Sequence, residues 1–374
     1  MKRKGWLALA ALLVLTGCTP NQTQEEVVQD PAESEARTVV LPSVRLDETY
    51  YSTILPYAES KSRGLVVSNM ATKYDVVEVE KGLMRLSQNE FPTDQYYFQE
   101  GQYLDRSTIS SWLARSNQTE AGLNPDDQGL TGREKATQAP VYLTHIVEQN
   151  YLVREGNTMK LGGVSIGLAL NSIYYYTEVD YGPVFEQPLS DDQITENGRR
   201  IANEIVTRMR AMPGLAEVPI TVGLFKQNSR NAIVPGTYFS YGVADNGGTV
   251  SNWAPINEQY VTFPTSNAVE QYRDMDTAFR NFKYNVETYF PNYTSVIGTG
   301  FYRDSVLQKL TITIPIQFFG EAEIIGFTQY VAGLLNTSFV ADLPVEVNIT
   351  SIEGEQALIK REANEETPFV HIYE

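Results

Sequence analysis

The sequence predicts an α+β protein made of two tandem, structurally similar α+β repeats with antiparallel sheets, placed behind a leader segment and a disordered tether. Three observations predict this. Stretches with helical periodicity are set between groups of stretches that alternate with a period of two, a pattern of α+β rather than of a doubly wound sheet. Two distant segments read alike, "YFQEGQYLDRSTISSW" from Tyr97 to Trp112 and "YFSYGVADNGGTVSNW" from Tyr238 to Trp253, which share Y-F-x-x-G and an Ile/Val-Ser-x-Trp ending. Ahead of both, a short apolar run is followed by a long polar stretch, and sequence of globular character begins only near Tyr50.

The N-terminal elements come first. Lys2, Arg3 and Lys4 form a basic cluster, Trp6 to Leu15 an apolar run, and Thr16 and Gly17 a pair of small residues ahead of Cys18. Basic, apolar and small in that order is the layout of a secretory signal peptide, here residues 1–17. The run is well short of the roughly 20 apolar residues that a membrane-spanning helix needs. Cys18 is the only cysteine in the chain, so no internal disulfide and no cysteine-built metal site can form. Residues 18–48 are dominated by Gln, Glu, Thr, Ser, Asp and Pro and read as a disordered tether. Its core, residues 19 to about 45, is about 27 flexible residues, with an expected end-to-end distance of roughly 25–30 Å.

The body divides on this reading into a first repeat, 49–188, and a second, 189–374. In the first, residues 141–152, "VYLTHIVEQNYL", are expected to be helical, with Glu148 one turn beyond His145, and Val164 to Leu170 to be a half-buried strand. In the second, Ser190 caps a helix to about Met212 with Ile201, Ile205, Val206 and Met209 on its apolar stripe, and Pro213-Gly214 stops it. A strand follows in "ITVGLF", then a helix over about 267–290 with Phe279, Phe282 and Val286 on one face. Gly298-Thr299-Gly300 reads as a turn, and Leu310 to Phe318 as an alternating strand that Pro315 places at an edge or a bulge. Further strands are expected from Val345 and from Phe369.

The formal charge is −17 and falls to −20 if Lys2, Arg3 and Lys4 leave with the leader, which disfavours nucleic acid and anionic surfaces as partners of the body. There are two histidines, His145 and His371, and no nucleophile elbow, zincin, phosphate-loop or dinucleotide motif. Glu100, beside Gly101 in the repeat frame, is one candidate for a hydrolytic carboxylate pair, but its counterpart in the second segment is Tyr241. The chain is therefore expected to be no enzyme and to carry no cofactor and no metal. Tyr97, Trp112, Tyr238 and Trp253 are the candidate binding residues, because aromatic faces stack on sugars and peptides. If they share a groove, the body is a surface-binding module for cell-wall glycan, peptide or another protein; if they are buried, they are core.

Leu15-Thr16-Gly17-Cys18 resembles a bacterial lipobox. The stretches "SRGLV" at Ser62, "EGQYLD" at Glu100, "GLNP" at Gly122, "HIVEQNYL" at His145, "IGLALNSIYYY" at Ile166, "YFPNY" at Tyr289 and "FTQY" at Phe327 resemble the CamS family, sex pheromone precursor lipoproteins of Gram-positive bacteria. The resemblance implies cleavage between Gly17 and Cys18 by a signal peptidase II-type enzyme, a diacylglyceryl group on Cys18, and a body held on the extracellular face of the cell membrane. It implies further that the last seven leader residues, Ala11, Leu12, Leu13, Val14, Leu15, Thr16 and Gly17, are released as a hydrophobic peptide that a pheromone receptor binds. For the mature body the family supplies no ligand.

Overall fold

In a computed structural model, the described residues are 25–29, 37–44, 46–65, 70–245, 248–265, 270–289, 296–317 and 320–373. The first part contains β1 (Glu25–Gln29), β2 (Arg37–Leu41), β3 (Ser52–Thr53), α1 (Lys73–Ser87), β4 (Tyr97–Glu100), α2 (Arg106–Leu113), α3 (Gly132–Gln138), β5 (Leu143–Glu155) and β6 (Thr158–Leu170). It continues through β7 (Ile173–Thr177), β8 (Val184–Pro188), α4 (Asp191–Arg210), β9 (Ile220–Lys226), β10 (Thr237–Ala244) and β11 (Ser251–Pro255). The second part contains β12 (Glu258–Phe263), α5 (Arg273–Tyr289), β13 (Ile297–Arg303), β14 (Val306–Pro315), α6 (Glu321–Ser338), β15 (Val345–Ser351), β16 (Gly354–Arg361) and β17 (Phe369–Ile372).

Two large sheets carry all of these strands except β7 and β8, which pair only with each other, and the two share one strand order. The first runs β11-β10-β9-β6-β5-β4-β3, and the second β12-β13-β14-β15-β16-β17. In each, the β6–β9 or β14–β15 pair is parallel and spans a helical crossover, while its neighbours are antiparallel. Thus β4, β5, β6, α4, β9, β10 and β11 correspond to β12, β13, β14, α6, β15, β16 and β17. The α+β duplication is present, but the sheets part at Ile256-Asn257, not at 188/189. Residues 220–255 stay with the first sheet because β9 returns through α4 to lie beside β6.

The duplicated unit is also not the one that the Tyr97 and Tyr238 segments suggest. Those segments lie toward opposite ends of one sheet, where the first forms β4 and α2 and the second forms β10 and β11. Helix α4 follows the sequence pattern closely. Ser190 and Gln193 form a capping box, and Ile201, Ile205, Val206 and Met209 are buried. It packs with α2 on one face of the first sheet. The other face is covered by α1, which Thr72 caps by accepting from the Asp75 amide at 3.1 Å and which buries Val79, Leu83 and Leu86. The second sheet has α5 and α6 on one face, and β14 accordingly alternates between buried and accessible residues.

Burial on both faces explains the main departure from the sequence reading. Residues 143–155 form strand β5, not a helix. With α1 on one side and α2 and α4 on the other, apolar residues face both ways and the period-two signal is erased. What remains is composition, and the β-branched and aromatic residues Thr144, Ile146, Val147, Tyr151 and Val153 favour a strand. Gly298 and Gly300 lie in β13, not in a turn, and a Cβ on Gly298 would meet the Phe279 ring of α5 at 2.5 Å. Pro315 ends a central strand, where the ladder requires no further amide from it.

The segment read as tether contains the β1–β2 hairpin. Val27, Val39 and Leu41 are buried against Ile54, Leu152 and Met159, and Val28 pairs with Thr158 of β6. Two short apolar runs, masked by polar neighbours in the overall composition, were enough to build it.

Where the two parts meet, Glu258 at the start of β12 is fully buried. It accepts from Arg85 of α1 at 3.1 and 2.7 Å and from Arg303 of β13 at 3.2 and 2.8 Å. Arg85 also binds Glu78 at 2.7 Å, and both guanidinium groups lie over the Phe301 ring. Two cations and two anions balance in a largely desolvated place, where removing one leaves its partners unpaired. We expect Glu258→Ala to lower stability to denaturant by about 3–5 kcal/mol. Arg85→Ala should cost much less in that background than in the native chain. Additive losses would mean that the pair is not coupled.

Candidate functional site

The sequence candidates fall in three places. Ala11, Leu12, Leu13, Val14, Leu15, Thr16, Gly17 and Cys18 lie outside the described residues. Trp112 and Tyr238 are buried, on opposite faces of the first sheet. The Tyr238 hydroxyl donates to the Val79 carbonyl at 2.6 Å, and its ring fills the space left by Gly82 and Gly223. Tyr97 is half-buried beside Ile54 and Leu152, and Trp253 is half-buried beneath Arg199. The four rings share no groove, so this set of residues does not form a binding site. Glu100 and Tyr241 are likewise apart, since β5, β6 and β9 lie between their strands.

His145 and Glu148 do not form a helical pair. On strand β5 a separation of three places their side chains on opposite faces. Glu148 turns toward α2, where its carboxylate accepts from the amides of Gln102, Tyr103 and Leu104 at 2.9, 3.1 and 2.7 Å. Gly101 is needed beside it, as a Cβ there would meet the Glu148 side chain at 2.7 Å. Glu148 is therefore a structural group that fixes the β4–α2 connection.

His145 instead lines a cleft of about 450 Å³ between β5, α1 and the 60–65 segment. Its walls include Val76, Glu80, Met84, Glu100 and Gln149. Glu100 accepts from the Ser60 amide at 2.6 Å and from the Tyr57 hydroxyl, so its oxygens are already engaged. Burial raises the pKa of Glu80, and the charge of Glu100 adds to this. Burial lowers that of His145 to about 4. No carboxylate makes a described hydrogen bond or ion pair with His145, and no group of three or more potential metal ligands occurs among the described residues. None of those residues forms a nucleophile–base pair with His145 through a described hydrogen bond.

The displaced titration has a consequence for stability. In the unfolded chain His145 protonates near pH 6.5, and in the folded chain only near 4, so the unfolded state binds more protons between these values. Stability from this group is full above pH 6.5 and is lost as pH falls toward 4. Denaturant titrations across that window should show a smaller decline for His145→Gln than for the native chain. Parallel curves would place the imidazole in water.

The comparisons agree with this architecture. The family model for the CamS sex pheromone cAM373 precursor matches residues 57–367. A crystal structure of a sex pheromone precursor from Lactobacillus salivarius subsp. salivarius UCC118 is 32% identical, covers 89% of this chain and 98% of its own, and superposes with a TM-score of 0.83. The C-terminal domain of the sex pheromone staph-cAM373 precursor from Staphylococcus aureus is also 32% identical, with 83% and 100% covered and a TM-score of 0.71. No curated protein matches. Among the described residues no helix is long and apolar enough to cross a membrane. By the extent of the family match and by its likeness to these two structures, the chain belongs to the CamS sex pheromone precursor family.

Proposed function

We propose that the chain is the precursor of a lipid-anchored extracellular protein and that its leader is the source of a peptide signal. Cleavage between Gly17 and Cys18 by a signal peptidase II-type enzyme leaves a diacylglyceryl group on Cys18. A second cut releases Ala11 to Gly17, "ALLVLTG", for a pheromone receptor. The observation that carries this reading is the lone Cys18 placed directly after a basic, apolar and small-residue leader, in a chain of this family. The heptapeptide is uncharged in its side chains and mostly apolar, so it can leave a bilayer and enter an apolar pocket. Acyl chains contribute roughly 0.8 kcal/mol for each buried methylene, so two chains on one cysteine anchor without a spanning helix. On this reading the body performs no catalysis and binds no nucleic acid.

The anchor would be short. Strand β1 starts at Glu25, seven positions after Cys18, and an extended chain of that length reaches at most about 25 Å. Mass spectrometry of a producing culture tests both halves of the proposal. We expect acyl mass on the Cys18 peptide in the cell fraction and free ALLVLTG in the medium. An unmodified Cys18 would overturn the anchor, and acylated Cys18 without the peptide would overturn the signal while leaving the anchor in place.

A further inference from the structure

The β7–β8 hairpin has no counterpart in the second part of the chain, where β14 leads to α6 across only a few residues. It is an addition to the duplicated fold, and it exposes Val179, Tyr181, Val184 and Phe185. The hairpin is a two-stranded sheet by itself, so among the described residues no strand pairs with either of its edges. The two edges are not alike. The Leu189 amide donates to the Ser172 carbonyl at 2.9 Å, which sets the alternation of the antiparallel ladder. Tyr174 and Tyr176 exchange their bonds with Gln187 and Phe185, and Tyr175 and Thr177 turn their N–H and C=O outward. On β8 the outward positions include Pro188, which has no donor and blunts that edge. The edge of β7 has no such device.

That edge borders a cleft of about 750 Å³ whose lining includes Thr131, Gly132, Lys135 and Arg230. The Lys135 ammonium is neutralised by Asp127 at 2.6 Å. The Arg230 guanidinium lies 3.6 Å from the centre of the Tyr175 ring and forms no ion pair among the described residues. Its backbone amide donates to the Tyr175 hydroxyl at 3.0 Å, which fixes the stack. Glu178 and Asp180, which follow the end of β7 in the chain, also line the cleft and stand outside any ion pair of the described residues. A cation on Tyr175, two anions just beyond Thr177 and the outward backbone groups of the strand are complementary to a zwitterion with a peptide backbone.

We propose that the open edge of β7 binds a short extended peptide with free termini. The peptide adds as a third, antiparallel strand, with its carboxylate on Arg230 and its ammonium toward Glu178 and Asp180. Tyr175, under Arg230, and Glu178, the first residue past the end of β7, are about 10 Å apart along the strand, a span that about three residues fill. Strand addition satisfies the outward groups of Tyr175 and Thr177, whose spacing of about 6.7 Å is that of alternate residues in any strand. This proposal does not depend on the fate of the leader.

Amide hydrogen exchange at single-residue resolution tests it, with the full chain and the synthetic peptide Thr-Val-Thr, free at both ends. The peptide should slow exchange at Tyr175 and Thr177 and leave Tyr174 and Tyr176 as they were. Arg230→Ala, or amidation of the peptide's C-terminus, should weaken binding roughly tenfold, as expected for one charge-assisted contact. Tyr175→Pro should abolish binding, and because a proline there can disturb the hairpin, the Arg230 variant and the amidated peptide stand as independent readouts. Any one of three results would overturn the proposal: no binding at millimolar peptide, binding that leaves the Tyr175 and Thr177 amides unprotected, or protection by a neutral chitin oligosaccharide in place of the peptide.

Discussion

Helix α1 holds the molecule together, and the interaction that makes it do so is the buried contact of Arg85 with Glu258. One side of α1 is committed to the first sheet through Val79, Leu83 and Leu86. Arg85 reaches the other way, into the second part of the chain. A charge pair of this kind is a poor source of stability, since desolvation offsets most of its attraction. Its value is in position: four charged groups and the Phe301 ring fit one arrangement of the two sheets and penalise others. The helix is fixed to match. Near its end Ser87 donates to Ser165 at 2.7 Å, and Ser165 is 2.6 Å from Thr221, a chain of hydroxyls across β6 and β9. At its start the buried Asp75 accepts from the Gly236 amide at 2.7 Å. The junction therefore rests on a helix that is tied at both ends.

The duplication makes this asymmetry informative. Two copies of one topology need only the helices they share, α4 and α6, together with α2 and α5. Among the elements that only the first copy has are α1, the β1–β2 hairpin and the β7–β8 hairpin. Each addition does something that the bare unit does not. α1 covers the second face of the sheet and joins the copies, β1–β2 brings the N-terminal segment onto the edge of β6, and β7–β8 opens a cleft. The second copy leaves one face of its sheet without helices and carries no comparable cleft-forming hairpin among its described residues.

What could be read from the sequence follows from how many faces of an element are buried. α4 has one buried stripe, so Ile201, Ile205, Val206 and Met209 stand out, and Ser190 with Pro213-Gly214 mark its ends. β14 has one buried face, and its alternation survives. β5 has two buried faces and no alternation, so the apolar residues of 141–152 imitate a helix. The β1–β2 hairpin was hidden differently, as two short apolar runs within a strongly polar stretch. The aromatic repeat misled because shared residues arose in dissimilar elements, Trp112 at the end of a helix and Trp253 in an edge strand. The cleft at β7 had a local trace in the tyrosines 174–176. Its other half, Arg230, is more than fifty positions away, and no spacing within the sequence joins them.

The positions of the two added hairpins bear on how the body would stand at a membrane. β1 runs parallel to β6 and meets it at Thr158 and Met159, where β6 begins. β7 follows the other end of β6, after Leu170. Twelve residue steps of an extended strand separate these ends, about 40 Å. If Cys18 is acylated, the short reach to β1 holds the start of β6 toward the lipid, and the long central strand then carries the β7 edge and Arg230 to the side that faces away. A rigid strand of the sheet, rather than a flexible tether, would set the distance between the membrane and the cleft. Such a cleft would meet soluble peptides in the medium before the lipid surface could compete for their apolar side chains.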